Sequence, residues 1–235
     1  MNKVKFVDRL CARFSNLAYL EEKALSKYLK NNNHEPFKIL KNGNDYGFAV
    51  MEKGKFIISF RGSDDVFDWG GNVNILPLRK KHYGWIHRGF YNSALDLVDQ
   101  VETAIKELNP ENKPIYLTGH SLGGAIACVM SIMLTRKGFH ISGVVTFGTP
   151  KPGKSDFRKK FRKAVPYSKQ FMFEDDPVPK FPRSYLFWRH PGKFVIKKEK
   201  DVPWWKFGFA WFGRFSDHGM DGYEFWIKKE YKESL

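Results

Sequence analysis

A chain of 235 residues with 42% apolar and 28% charged side chains can bury one sizeable core beneath a solvated surface, which excludes a largely disordered protein. Its formal net charge of +15 favours anionic partners, either polyanions or anionic lipid headgroups. The basic runs at 151–163 and 193–200 carry no nucleic-acid motif and read first as solvated faces, so no nucleic-acid partner is expected.

One α/β domain over 1–235 is expected, preceded within it by a helical region at about 5–30. In that region Phe14, Leu17, Ala18, Leu25 and Leu29 recur at helical spacing until Asn31-Asn32-Asn33 ends the pattern. Asp8, Arg9 and Arg13 interrupt the apolar stretch behind Lys3 and Lys5, so no Sec signal is visible. The expected location is therefore cytoplasmic, or outside the cell by a signal-peptide-independent route. Residues 46–51 and 55–60 are β-rich runs either side of Glu52-Lys53-Gly54, the pattern of a hairpin.

Residues 87–108 place Phe90, Ala94, Leu97, Val98, Val101, Ile105 and Leu108 on one helical face, stopped by Asn109-Pro110. A short strand at 114–118 then runs into Gly119-His120-Ser121-Leu122-Gly123-Gly124 and an apolar helix to Leu134, too short to span a bilayer. Strands at 144–147 and 170–173 flank a basic helical segment at 156–164. A last strand at 194–196 and a closing helix at 219–229 complete the pattern. Strands alternating with helices imply a mainly parallel sheet flanked by helices. Cys11 and Cys128 are the only cysteines, and a core of this size needs no disulfide.

Gly-x-Ser-x-Gly between a strand and a helix has a mechanical meaning. The turn is strained, the glycines admit neighbouring backbone, and Ser121 is lifted clear of the sheet as a nucleophile. A serine nucleophile needs a base and a carboxylate that orients the base. Asp176, in Glu174-Asp175-Asp176-Pro177 after the 170–173 strand, is the chosen carboxylate, with Asp175 its close rival. Of seven histidines, His218 lies just before the last helix, where the third member belongs. His120 should point away from Ser121, His87 heads a helix, His34, His82 and His140 sit in polar loops without a partner, and His190 enters a strand. Oxyanion donors are expected from the N–H of Leu122 and from Ser63 in Arg61-Gly62-Ser63.

Together these segments resemble the class 3, or fungal-type, lipase family. The likeness runs through Phe60-Arg61-Gly62-Ser63, Asp68-Trp69, Ile86-His87-x-Gly89-Phe90, the 119–124 turn, Phe147-Gly148-x-Pro150, Asp176-x-Val178-Pro179, and His218 with Tyr223. The resemblance implies an α/β-hydrolase fold and a serine carboxylic ester hydrolase acting on lipid esters as a triacylglycerol lipase or phospholipase A1. A feruloyl-type esterase and a catalytically silent lipid-binding module on the same scaffold are the alternatives. It also implies Ser121, Asp176 and His218 as triad, Ser63 and Leu122 as oxyanion residues, and no metal or cofactor. The basic charge, the two cysteines and the lack of a visible signal point to a bacterial branch. After Ser63 the family carries a lid, and here Gly70-Gly71 weakens any helix by about 1 kcal/mol per glycine. Trp69, Trp204, Trp205 and Trp211 are substrate or interface candidates. The dense aromatics of 203–215 suit an acyl-binding wall, peripheral contact with an anionic membrane, or plain core packing.

Overall fold

The computed structural model describes residues 4–63, 76–182, 187–197 and 219–232. The N-terminal helical region is two helices, α1 (Phe6–Leu17) and α2 (Glu22–Asn31). α1 opens on a reciprocal cap in which the Lys5 N–H donates to the Asp8 carboxylate at 2.8 Å. The same buried carboxylate accepts from Lys169 Nζ at 2.7 Å and from the Tyr167 hydroxyl at 2.6 Å. An ion pair stripped of water this fully is retained only when its lone pairs are taken, as they are here.

The expected hairpin is present as β2 (Asp45–Glu52) and β3 (Lys55–Phe60), turned at Lys53 and Gly54, both with positive φ (46° and 69°). That is the backbone a two-residue hairpin turn prefers, since it matches the strand twist. An edge strand, β1 (Phe37–Asn42), pairs antiparallel with β2 and is absent from the sequence reading. Only Leu40 of its six residues is buried, so it carries no apolar alternation to detect.

From β3 onward the sheet is parallel, through β6 (Ile115–His120), β7 (Ile141–Phe147), β9 (Tyr167–Phe173) and β11 (Lys193–Lys197). The seven strands stand in the order β1-β2-β3-β6-β7-β9-β11. The connecting helices are α3 (Arg88–Leu108), α4 (Leu122–Arg136) and α5 (Ser155–Ala164), and α6 (Met220–Lys232) closes the described chain. Side chains alternate along each strand and so divide between two cores. Phe56, Ile58, Phe60 and Val144 meet α3, α4 and α5 on one face. Ile57 on the other face packs with α1 and α2, while Val145 and Phe147 pack with α1 and α6. Every residue of α4 from Gly123 to Leu134 is buried, which is why its sequence is apolar all round.

A second, antiparallel sheet orders β10 (Trp188–Arg189), β8 (Gly153–Lys154), β5 (Gly84–His87) and β4 (Pro77–Lys80). Two of its strands are two residues long and two are four, below the length at which period-two patterning can be read. Among the described residues no helix is long and apolar enough to cross a membrane.

Candidate active site

β6 ends at His120 and α4 begins at Leu122, leaving Ser121 alone at the turn with φ 53° and ψ −125°. A non-glycine residue there stores on the order of 1–3 kcal/mol and persists only if its surroundings enforce it. They do so through the backbone. The Ser121 N–H donates to the Phe147 carbonyl of β7 at 3.0 Å, and the Ser121 carbonyl accepts from Gly124 at 3.1 Å and Ala125 at 3.3 Å. Gly123 presses on β3 so closely that a Cβ would stand 2.1 Å from the Phe60 carbonyl oxygen, so only glycine fits. Ser121 is 1% exposed, and its hydroxyl has no hydrogen-bond partner among the described residues. Leu122 is the first residue of α4, where a helix leaves its N–H groups free and its dipole favours negative charge.

β3 lies beside β6 with Phe60 opposite Gly119, and the chain leaving β3 runs against the turn. A Cβ on Gly62 would lie 2.2 Å from the Tyr19 hydroxyl, 2.8 Å from the His120 carbonyl oxygen and 3.2 Å from Ser121 Cβ. Ser63, half-buried, follows immediately after Gly62, which itself stands against Ser121.

Asp176 follows β9 on a tight turn and is fully buried, whereas Asp175 is exposed. One carboxylate oxygen of Asp176 accepts from the Val178 N–H at 2.9 Å and the other from the Tyr223 hydroxyl at 2.6 Å. Tyr223 stands on α6 and itself accepts from the Phe173 N–H at 3.1 Å. Beyond Asp176 the loop is gripped carbonyl by carbonyl. His190 Nε2 meets the Pro179 oxygen at 2.6 Å, and Lys151 Nζ donates to the Lys180 oxygen at 2.5 Å and the Pro182 oxygen at 2.9 Å. The Lys151 N–H takes the intervening Phe181 oxygen at 2.7 Å. Burial lowers the Lys151 pKa to about 8, helped by the charge of Arg189.

His218 lies outside the described residues, as do Trp69, Trp204, Trp205 and Trp211. Helix α6 begins two residues after position 218 and carries the Tyr223 that bonds Asp176. Three of the other histidines are buried against definite partners. His120 Nδ1 bonds the Tyr19 hydroxyl at 2.6 Å. His87 is buried, stacks on Phe90 at 4.0 Å between ring centres, and is pushed down to a pKa of about 4 by burial. His34 corrects the expectation of a partnerless loop residue: it is buried, with Nδ1 2.9 Å from the Glu52 carboxylate. His82 and His140 are exposed. Among the described residues no group of three or more His, Cys, Asp or Glu gathers as a metal site would require.

Sequence reasoning missed Tyr223, Lys151 and His190 as parts of the site. Tyr223 appears in the motif set without a role, and Lys151 directly follows Phe147-Gly148-Thr149-Pro150, so proximity to motifs was the available signal.

Residues 57–186 match the family model described as lipase (class 3), more than half the chain. The chain belongs to the class 3 lipase family. Among curated members, the secreted mono- and diacylglycerol lipase 1 of Fusarium solani is 30% identical over 141 residues, covering 58% of this chain and 42% of that protein. A chloroplastic phospholipase A1 of Arabidopsis thaliana is 32% identical over 98 residues, covering 38% of this chain and 15% of its own length. This class 3 lipase homologue thus spans less than half of either relative. Among solved structures, lipase II from Rhizopus niveus superposes with a TM-score of 0.71 at 20% identity, over 82% of this chain and 80% of that one. The fold is the α/β-hydrolase fold, with the mainly parallel sheet expected from the strand and helix order.

Proposed function

We propose that the chain is a serine carboxylic ester hydrolase of the lipase or phospholipase A1 type, working as one α/β-hydrolase domain with Ser121, Asp176 and His218 as its triad. The observation that carries this reading is the strained Ser121 at a helix N-terminus, two strands from a buried carboxylate. Strands lie about 4.8 Å apart, so the ends of β6 and β9 stand roughly 10 Å apart, a gap that one imidazole with a hydrogen bond at each nitrogen can bridge between side chains. His218 is that imidazole. Its position two residues before α6, whose Tyr223 bonds Asp176, supports the choice.

In this reading Ser121 Oγ attacks the ester carbonyl carbon while His218 takes its proton. Asp176 holds the ring in the donating tautomer and stabilises the imidazolium. The N–H of Leu122 and the N–H or hydroxyl of Ser63 hold the oxyanion, the alcohol leaves with the proton from His218, and water then releases the acid by the same steps. The lipid substrate is carried over from the printed names of the relatives. The surplus positive charge supports a peripheral contact with an anionic membrane, where such a substrate lies. The test is labelling by a fluorophosphonate probe. Labelling in wild type and none in Ser121→Ala supports the hydrolase. No labelling of a folded wild-type protein leaves the silent lipid-binding scaffold.

A further inference from the structure

On the second sheet Arg79 of β4 stands directly across from Trp85 of β5, and β8 follows on the other side. The Arg79 guanidinium lies 5.9 Å and the Lys154 ammonium 5.2 Å from the Trp85 ring, so an indole 36% exposed sits between two cations. Lys80, next in the strand and so on the sheet's other side, covers Tyr91 of α3 at 5.4 Å. At the hairpin tip His82 titrates below the ordinary range, through desolvation first and then through the charges of Arg136, Lys81 and Lys160.

Among the described residues none of these Lys and Arg side chains forms an ion pair. The carboxylate nearest this face, Asp156, spends its oxygens on backbone N–H groups, at 3.0 Å to Trp85 and 2.9 Å to Phe157. Elsewhere Lys106 and Lys137 share Glu102 and Lys38 pairs with Glu107, while Lys23, Lys27 and Lys30 of α2 form no ion pair among the described residues but have no tryptophan on their helix.

We propose that this face of the small sheet, centred on Trp85 between Arg79 and Lys154, is the surface by which the protein docks on an anionic phospholipid bilayer. The inference rests on the membrane contact proposed above and gives it a location. Unpaired cations meet lipid phosphates without breaking any bond in the protein, and long Lys and Arg stems reach the headgroups while their apolar parts stay on the indole. An indole is the side chain that settles at the boundary between headgroup and hydrocarbon. An exposed indole on the sheet face and Leu76 exposed at the foot of β4 offer apolar groups to a lipid surface, which a nucleic-acid backbone would leave unused. The strand also starts 14 residues after Ser63, on the same stretch of chain that leaves the site.

The test is co-sedimentation of the full chain with phosphatidylcholine vesicles, with and without phosphatidylglycerol, in a Ser121→Ala background that leaves the vesicles intact. Neutralising Arg79 and Lys154 to Gln should lower partition onto the anionic vesicles by about 10-fold, with little change on phosphatidylcholine alone. Neutralising Lys23 and Lys27 on α2 removes the same charge and should cost less than about threefold. Trp85→Ala should weaken binding by about threefold even at physiological salt, because apolar insertion is not screened. In an otherwise wild-type chain, the Trp85 and Arg79 variants should keep their activity on a soluble short-chain ester, which certifies the fold separately from the docking. Absence of wild-type binding to anionic vesicles overturns the proposal. So does an equal loss in the two double variants, which would assign binding to diffuse charge. A wild-type protein displaced from vesicles by duplex DNA, with DNA binding lost in the Arg79 variant and vesicle binding kept, would make the face a nucleic-acid surface instead. Should the double variant fail to fold, Arg79→Gln and Trp85→Ala alone decide the matter.

Discussion

Ser121 and Asp176 are both buried, yet opposite means hold them in place. Around Ser121 the constraint is backbone on backbone: a carbonyl of β7, the first turn of α4, and a glycine jammed against β3. Around Asp176 one local N–H, from Val178, is joined by side chains reaching in from elsewhere: Tyr223 from 47 positions away onto the carboxylate, and, onto the loop that follows, Lys151 from 29 and 31 positions before the carbonyls it holds and His190 from 11 after. A backbone constraint must be written where it acts, as small residues at fixed spacing. A side-chain grip can be written anywhere the fold brings together. The first kind of site tolerates almost no local change, while the second divides its stability among several replaceable parts.

The comparison breaks most sharply at the carboxylate itself. Asp176→Asn should lower kcat on a soluble p-nitrophenyl ester by roughly 10³- to 10⁴-fold, since the amide reverses the hydrogen-bond polarity that fixes the base. Asp175→Asn, at an exposed position, should stay near wild type. The reverse outcome would put the acid one residue earlier and strip the Tyr223 and Val178 bonds of catalytic meaning. Ser63→Ala, on the backbone-defined side, should cost on the order of 10²-fold in kcat with KM little changed, because the donor matters chiefly once charge develops. An effect on KM alone would make Ser63 a residue that binds substrate.

Lys151→Met probes the gripped side. Two carbonyls would lose their donor inside the protein, at about 1–3 kcal/mol each in stability. If the grip positions Asp176, kcat should fall by about 10-fold with KM near its starting value, and Lys151→Arg should restore most of it. A lower melting temperature with unchanged kcat would leave Lys151 as a structural residue only.

The same contrast explains what the sequence disclosed. The turn at 119–124, the apolar α4 and the parallel strands were legible because each is fixed by local spacing or by burial on both faces. Asp176 was legible by its place after a strand, but the choice over Asp175 turns on which of the two faces inward, and adjacent residues after a strand end carry no periodicity to say so. Strand β1 and the four short strands of the second sheet stayed hidden because pairing, not side-chain alternation, defines them. The partner of His34 was hidden for a related reason: Glu52 is 18 positions on, and only the sheet brings them to 2.9 Å.

The smallest effect expected on activity is at His190, and its pH dependence sharpens the comparison. Its ring is buried, Nε2 contacts the Pro179 oxygen, and Nδ1 has no partner among the described residues. Burial pushes its pKa from the ordinary 6.5 down to about 3; the Pro179 bond opposes this and the nearby charges of Lys151 and Arg158 reinforce it. The ring is therefore neutral in the fold and donates from Nε2, whereas the unfolded chain binds a proton below pH 6.5. Between the two values the unfolded state holds more protons, so the contribution to stability is complete above pH 6.5 and is lost as pH falls toward 3. Over the upper part of that window the loss should be roughly 3 kcal/mol. His190→Gln keeps an N–H for Pro179 and removes the titration, so in denaturant melts it should be less steeply destabilised by acid, while kcat at neutral pH changes by no more than about threefold. His87, lowered to about 4 by burial alone and outside the acid loop, is the control: His87→Gln should flatten the same limb and leave kcat where it was. A His190→Gln protein whose acid limb matches wild type would mean that the ring takes up its proton in the fold at the same pH as in the unfolded chain. Pro179 would then be held by an imidazolium in acid, and His190 would contribute nothing to the pH dependence of stability.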